Sequence, residues 1–218
     1  MPTCNASSTQ CGKRSADQRP MVKRLFDVFF ATTGLLLLAP LLLGIALWVR
    51  LESPGPVFFR QQRVGRFGVP FRIHKFRTMR ADASTTGPDL TVGADPRITR
   101  AGRWLRRAKL DELPQLLDVI AGTMSLVGPR PEVARYVALY PPALREKVLS
   151  VRPGITDPAS IEYRDEGRLL AGAVDPERFY VEQVMPVKLR RAASYVDEMS
   201  LRGDLRVIFT TLRALWAR

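Results

Sequence analysis

The longest apolar run in the chain extends from Val28 to Val49 without a charged residue, and its centre reads Gly34-Leu-Leu-Leu-Leu-Ala-Pro-Leu-Leu-Leu-Gly44. At about 1.5 Å per helical residue such a run can cross a bilayer core of roughly 30 Å. It is too long for the apolar region of a signal peptide and has no clear small-residue cleavage site. Two features argue against a simple span. Pro40 lacks a backbone N–H and clashes with the preceding turn, so the pattern predicts a helix break at Ala39-Pro40. Both flanks are basic, with Lys13, Arg14, Arg19, Lys23 and Arg24 before the run and Arg50, Arg60, Arg63 and Arg66 after it. Positive flanks prefer the cytoplasmic side. Residues 21–50 are therefore read as a re-entrant helix-break-helix that enters one leaflet and returns, with a simple span as the alternative that the pattern leaves open. Asp27 is costly in lipid and is expected at the interface or paired with Arg24.

Residues 1–20 are polar with no apolar period and read as a disordered basic tail. Beyond the apolar run, Ser53-Pro-Gly-Pro56 is a turn. Val57–Val64 and Val69–Thr78 read as two strands joined by Gly65-Arg-Phe-Gly68. Alternation places Phe71, Ile73, Lys75 and Arg77 on one face of the second strand. Residues 81–96 read as loop. A helix is predicted from about Ile98 to Ala108, with Asp95 or Thr99 near its start. Pro114 disfavours helix at Leu113 and suits a first helical turn, so a new helix should start there, with Asp111 and Glu112 just before it. Gly128-Pro-Arg-Pro131 is a rigid turn that presents one arginine. Glu132–Val151 reads as helix interrupted at Pro141-Pro142, and Arg152-Pro-Gly154 as a turn. Leu205, Ile208, Phe209, Leu212 and Trp216 recur at helical spacing over Asp204–Arg218, with Arg206 and Arg213 between them. That is an amphipathic helix for a membrane surface or for the core. The whole reads as an α+β, helix-rich, membrane-associated chain, with residues 51–218 as one domain after the apolar segment.

Charge narrows the partners. A net charge of +13 over 218 residues suits polyanions: nucleic acid, an anionic membrane surface or phosphorylated substrates. The aromatic residues are not interleaved with the basic ones as base-stacking platforms, which disfavours nucleic acid. Cys4 and Cys11 both lie in the polar tail and imply no disulfide framework. With one histidine, His74, a multi-histidine metal site is excluded; His74 reads as an ordinary strand residue.

The candidate chemistry is that of phosphate esters. Lys75 and Arg77 on a strand, Arg103, Arg106 and Arg107 on a helix and Arg130 in its turn are available cations, and arginine's planar fork can hold two phosphate oxygens. Asp111 and Glu112 are an acidic pair of a kind that usually only caps a helix. Beside so many cations and a membrane segment, the aspartate is a candidate nucleophile and the glutamate a candidate base. A divalent ion would screen the charges that repel the attack.

Several blocks occur in an order that resembles the bacterial sugar transferases, in particular the small monotopic phosphoglycosyl transferases. They are Lys23-Arg-Leu-Phe-Asp27, Ser53-Pro-Gly-Pro-Val-Phe-Phe-Arg-Gln-Gln-Arg-Val-Gly65, Lys75-Phe-Arg-Thr-Met79, Leu110-Asp-Glu-Leu-Pro-Gln115, Met124-Ser-Leu-Val-Gly-Pro-Arg-Pro-Glu132, Arg152-Pro-Gly-Ile-Thr156 and Tyr163-Arg-Asp-Glu166. The resemblance implies attack of Asp111 on the β-phosphorus of a UDP-sugar, release of UMP, and transfer of the sugar phosphate to polyprenyl (undecaprenyl) phosphate with Glu112 as base. It implies Mg²⁺ or Mn²⁺ at Asp111, and phosphate or substrate contacts from Arg106, Arg130, Lys75 and Arg77. It also implies a bacterial inner-membrane location with the catalytic domain on the cytoplasmic face, and it leaves the oligomeric state open, a homodimer included. The chain departs from the family pattern at Ala39, where serine is common before the proline, and at Lys109, where serine is common before Leu110. It departs again at Asp118 and Thr123, where asparagine and aspartate are common. The readings set against this one are a membrane-bound scaffold or lipid-binding protein without turnover, and a glycosyl transferase that releases UDP. The sugar and the pathway are not legible.

Overall fold

The computed structural model describes residues 9–80, 95–163 and 166–216. The loop expected over 81–96, residues 1–8 of the expected tail and Arg218 lie wholly or largely outside them. Helix α1 (Thr9–Glu52) is followed by an antiparallel hairpin, β1 (Phe58–Val64) and β2 (Pro70–Phe76). Phe67 and Gly68 of its loop take left-handed backbone angles, at φ 57° and 79°. Next come α2 (Arg100–Ala108), a single 3₁₀ turn over Leu110–Glu112, α3 (Gln115–Ala121) and β3 (Ser125–Val127). Two short helices, α4 (Ala134–Val137) and α5 (Pro142–Leu149), lead to β4 (Gly154–Thr156). The chain ends in α6 (Pro158–Glu162), α7 (Glu166–Ala171), α8 (Pro176–Phe179), a π turn over Tyr180–Val184, α9 (Met185–Glu198) and α10 (Leu201–Trp216). The class is the expected helix-rich α+β. The sequence pattern does not show the parallel pairing of β3 with β4, because strands of three residues carry too few positions for an alternation to register.

Helix α1 differs from the expectation in two ways. It runs through Ala39 and Pro40 without interruption. A proline removes only one backbone bond, the one its N–H would have made to the Leu36 carbonyl. In apolar surroundings, keeping the rest of the ladder costs less than freeing several backbone groups at once. The helix also begins at Thr9, inside the stretch read as a disordered tail; once nucleated, a helix extends at small cost per residue.

Packing explains how α1 is held. Before Pro40, Ala31 and Leu35 pack with Ile73 of β2, Leu116 and Val119 of α3, and Met124. After it, Ile45 and Val49 pack with Phe76 of β2 and with Ala101 and Leu105 of α2. The outward face is bare: Leu36, Leu37 and Leu43 are 71, 76 and 71 % exposed. Polar anchors hold both ends. Lys23 pairs with Asp204 of α10 at 2.5 Å and donates to the Val127 carbonyl. Arg24 donates to the Val119 and Ile120 carbonyls near the end of α3 at 2.6 and 2.9 Å, where a helix dipole favours a cation. Asp27 does not pair with Arg24; it accepts from Ser125 Oγ at 2.7 Å and Leu126 N at 3.2 Å. At the far end Glu52 accepts from the backbone N–H groups of Arg100 and Ala101 at 2.6 and 2.8 Å, so a carboxylate caps the first turn of α2.

Candidate active site

Three segments converge. The first runs from α2 into α3. Thr99 caps α2 by accepting from Gly102 N, and the helix ends at Lys109, whose backbone is left-handed (φ 57°, ψ 24°). That reversal starts the turn carrying Asp111 and Glu112, and Pro114 then leads into α3. The acidic pair thus precedes a helix, as its spacing predicts. The second segment is β2, which delivers Lys75. The third is the Gly128-Pro-Arg-Pro131 turn. Gly128 and Gly154 pass so closely that a Cβ on Gly154 would lie 2.1 Å from Gly128 N, so only glycine fits there. Arg130 N donates to Asp157 Oδ2 at 3.0 Å, which fixes the turn against the start of α6.

Glu112 is the hub. Its Oε1 accepts from Lys75 Nζ at 2.8 Å, and both its oxygens accept from Arg130, with Nη1 to Oε2 at 3.0 Å and Nη2 to Oε1. Burial disfavours its ionised form, but Arg130 and Lys75 outweigh that and hold its carboxyl well below the usual carboxylate range. The Arg130 guanidinium is correspondingly pushed up, chiefly by Glu112. Burial pulls the Lys75 ammonium down, and the neighbouring Glu112 opposes that shift.

Asp111 differs from its neighbour. It is 9 % exposed, and its Oδ1 is buried with no hydrogen-bond partner among the described residues. Burial first, and then the charge of Glu112, push its carboxyl up; Lys75, Arg106 and Lys109 oppose them. Buried polar atoms are ordinarily satisfied, so an orphaned carboxylate oxygen beside cations makes Asp111 a candidate for binding or reaction. Arg106 stands beside Asp111 with its Nε donating to Thr78 Oγ1 at 2.8 Å.

Of the cations expected here, Lys75, Arg106 and Arg130 gather around the acidic pair. Arg77 does not. It is buried, and it donates to the carbonyls of Val49, Ser53 and Pro54 at 3.2, 2.7 and 2.8 Å. It fastens the end of α1 to the turn after it and is not available as a phosphate ligand. His74, expected to be an ordinary strand residue, donates its N–H to Asp118 Oδ2 at 2.8 Å and meets Oδ1 with its ring at 2.7 Å.

No cluster of three or more His, Cys, Asp or Glu side chains occurs among the described residues. Asp111 alone, with its free oxygen, fits a hard divalent ion that takes its other ligands from phosphate and water, as Mg²⁺ commonly does.

Beside the acidic pair opens a cavity of about 550 Å³. Its walls are Phe26, Phe30 and Gly34 of α1 and Leu205, Ile208 and Leu212 of α10, and it reaches Glu112, Arg130 and Lys109. Lys188 also lines it and pairs with Glu166 at 3.0 Å. Thr78, Asp157, Lys188 and the cavity walls were not legible as site residues. Only Asp157 carries a local signal, an N-cap aspartate followed by proline; the others are brought in by tertiary packing.

Residues 18–218 match the model of a family described as bacterial sugar transferase. The chain is similar to an exopolysaccharide production protein of Rhizobium leguminosarum bv. phaseoli, 42 % identical over 202 residues, covering 88 % of this chain and 94 % of that protein. It is 40 % identical over 197 residues to a UDP-glucose:undecaprenyl-phosphate glucose-1-phosphate transferase of Caulobacter vibrioides, covering 88 % of this chain and 69 % of that one. It is 35 % identical over 196 residues to an N-acetylgalactosaminephosphotransferase of Aeromonas hydrophila that acts between UDP-N-acetylgalactosamine and undecaprenyl phosphate. There the match covers 89 % of this chain but only 43 % of the longer relative.

Proposed function

The chain belongs to the bacterial sugar transferase family, and from that premise we propose that it transfers a sugar 1-phosphate from a UDP-sugar to undecaprenyl phosphate, releasing UMP, in the membrane step of exopolysaccharide or related glycan synthesis. The observation that carries the reading is the orphaned, buried Oδ1 of Asp111 among Lys75, Arg106 and Lys109. Asp111 attacks the β-phosphorus of the donor. The bond from that phosphorus to the bridging oxygen breaks, UMP leaves with the electron pair, and the sugar phosphate is held on the carboxylate. A phosphate oxygen of the acceptor then attacks the same phosphorus, freeing Asp111 and forming an undecaprenyl diphosphate sugar. In the first step Lys75, Arg106 and Arg130 offset the negative charge that gathers at phosphorus. The raised proton affinity of Asp111 accords with a nucleophile sharpened by desolvation.

The resemblance casts Glu112 as a base. Its low proton affinity and its bonds to Arg130 and Lys75 support another role, as the anionic bracket that orients both cations. The acceptor needs little help from a base, because a phosphate monoester has a second pKa of about 6 and is largely dianionic at neutral pH. Mg²⁺ or Mn²⁺ on Asp111 and the donor diphosphate would supply further charge neutralisation.

Helix α1 lies in the cytoplasmic leaflet on this reading, with both ends at the interface. Support comes from its anchors, since Lys23, Arg24 and Asp27 at one end and Val49 and Glu52 at the other grip the same body. The helix continues through the proline rather than breaking there. A soluble donor and a lipid acceptor then meet at one surface.

The test is to incubate detergent-purified protein with Mg²⁺, undecaprenyl phosphate and a panel of UDP-sugars, and to identify the released nucleotide. Lipid-dependent turnover to UMP with one donor, abolished in Asp111→Asn, is the expected result. Release of UDP would mean ordinary glycosyl transfer. Folded protein that releases no nucleotide from any donor would favour a scaffold without turnover.

A further inference from the structure

We infer that Lys109 receives the phosphate of the lipid acceptor, and that the cavity between α1 and α10 holds the first units of its prenyl chain. This assignment rests on the phosphoglycosyl transfer proposed above. Three observations carry it.

The first is the state of the cations. Arg130 and Lys75 are both bonded to Glu112, and Arg106 to Thr78. Lys188, also at the cavity, is paired with Glu166. Lys109 lines the same cavity, and its ammonium forms no hydrogen bond or ion pair with any described residue. It is the lining cation with three donors unspent. The second is its backbone. The left-handed conformation that ends α2 normally calls for glycine or asparagine, because a Cβ there costs about 1–2 kcal/mol. A lysine retained in that position places its charge two residues from Asp111, close enough to act on that carboxylate. Residues held in such conformations cluster where ligands are clamped.

The third is the shape of the cavity. Its walls are mostly aromatic and aliphatic, drawn largely from the apolar segment of α1 and from α10, and Lys109, Glu112, Arg130 and the paired Glu166 and Lys188 also line it. Phe30, Leu205 and Leu212 of its walls are also exposed apolar side chains, and Glu112, which lines it, is the sequence neighbour of the nucleophile. An occupant that matches both is a phosphate monoester on a long apolar chain. A nucleotide sugar matches neither the apolar walls nor the direction of approach from the membrane. Held there, the acceptor phosphate waits beside Asp111 while the donor is consumed, and Lys109 positions its attacking oxygen.

The test compares wild type with Lys109→Asn, which keeps the left-handed backbone and removes the charge, and with Lys109→Arg, which keeps the charge. The first half-reaction is read without lipid, as stoichiometric UMP release and as the added mass of the sugar phosphate on the intact protein. The second is read from turnover against acceptor concentration. Lys109→Asn is expected to raise the acceptor KM tenfold or more, with adduct formation within about threefold of wild type, and Lys109→Arg to recover most of the loss. Gly34→Leu probes the cavity. A Cβ at Gly34 makes only ordinary contact with Leu116 at 3.6 Å, and retention of the fold in the leucine variant is checked by its melting temperature without ligand. The variant is expected to lose the preference for undecaprenyl phosphate over a ten-carbon prenyl phosphate. In a binding arm without donor, undecaprenyl phosphate should raise the melting temperature of wild type and Lys109→Arg more than that of Lys109→Asn.

An equal slowing of adduct formation and turnover in Lys109→Asn would place the lysine at the donor, and no change in either would make it idle; both overturn the inference. A melting shift of the same size with phosphatidic acid would show a general lipid-phosphate site instead of an acceptor site. Wild type that forms no adduct and releases no UMP sinks the parent reading. The prenyl phosphate melting shift then still decides whether Lys109 binds a lipid phosphate.

Discussion

Asp111 and Glu112 are neighbours with opposite electrostatic fates, and the contrast is testable by pH. Asp111 is buried and Glu112 half-buried, but only Glu112 is bonded to cations. Its folded proton affinity is far below the ordinary value of 4.5, so it contributes stability that is fully present above that value and is lost as pH falls through the lower folded value. Glu112→Gln should therefore destabilise the protein at pH 7 by about 1.5–3 kcal/mol, the usual worth of hydrogen bonds to charged groups. The gap from wild type should close as the unfolding midpoint is followed from pH 5 downward. A gap unchanged at pH 3 would show that the carboxylate's charge is not what matters. Asp111 has the reverse sign. Its folded proton affinity is raised, so the folded state favours the protonated form, and the charge costs stability as pH rises through the folded value. Asp111→Asn should accordingly be at least as stable as wild type at pH 7 while forming no adduct. A second expectation at this scale concerns Arg77. Replacing it with methionine strands three carbonyls and should cost about 3 kcal/mol, read as thermal unfolding in detergent. Arg77→Lys should recover only part, because one ammonium cannot reproduce the planar fork. A phosphate-binding role would instead show as a raised donor KM with unchanged stability.

At the scale of elements, local rules carried far. The hairpin, α2 with its threonine cap, the start of a helix at Pro114 and the amphipathic α10 all follow from period, caps and prolines, because each depends on neighbours within a few residues. What was not legible depends on distant partners. Nothing in the local pattern shows that Arg77 faces carbonyls at and just beyond the end of α1 while Lys75, two residues earlier, faces Glu112. Nor does it show that β3 and β4 pair, although that pairing aims Arg130. The Gly128–Gly154 approach is the key to the pair, and it makes a sharp prediction. Gly154→Ala must separate backbones that now leave no room for a methyl group. The displaced turn loosens Arg130 from Glu112, so the variant should lose activity at least tenfold even where it remains folded by circular dichroism. Gly34→Ala, where a Cβ meets only ordinary contact, is the matched control for fold and stability.

For the whole molecule, the reading that α1 enters and leaves the bilayer at one face draws its support from the anchors. Along a straight helix Lys23 and Val49 would lie roughly 40 Å apart at about 1.5 Å per residue, farther than the roughly 30 Å core of a bilayer. A span would thus place their partners on opposite sides. Yet Lys23 is paired with Asp204 of α10, and the Val49 carbonyl is held by Arg77 of the segment after β2. Side-chain packing joins the same body to α1 both before and after Pro40. In a chain of net charge +13 the polar body is costly to draw into hydrocarbon, which supports the proposal that both ends of the apolar stretch lie at one interface. Leu205, Phe209 and Leu212 of α10, at 49, 66 and 52 % exposure, give that interface a second apolar contact. With Cys4 and Cys11 changed to serine, single cysteines at Met21 and Leu51, which are 70 and 75 % exposed, report the two ends. A membrane-impermeant maleimide should label both in inverted inner-membrane vesicles and neither in intact spheroplasts. Labelling of one from each side would establish a span. The anchors at one end would then have to open in the membrane, and the cavity shared by α1 and α10 could not persist there as a single site.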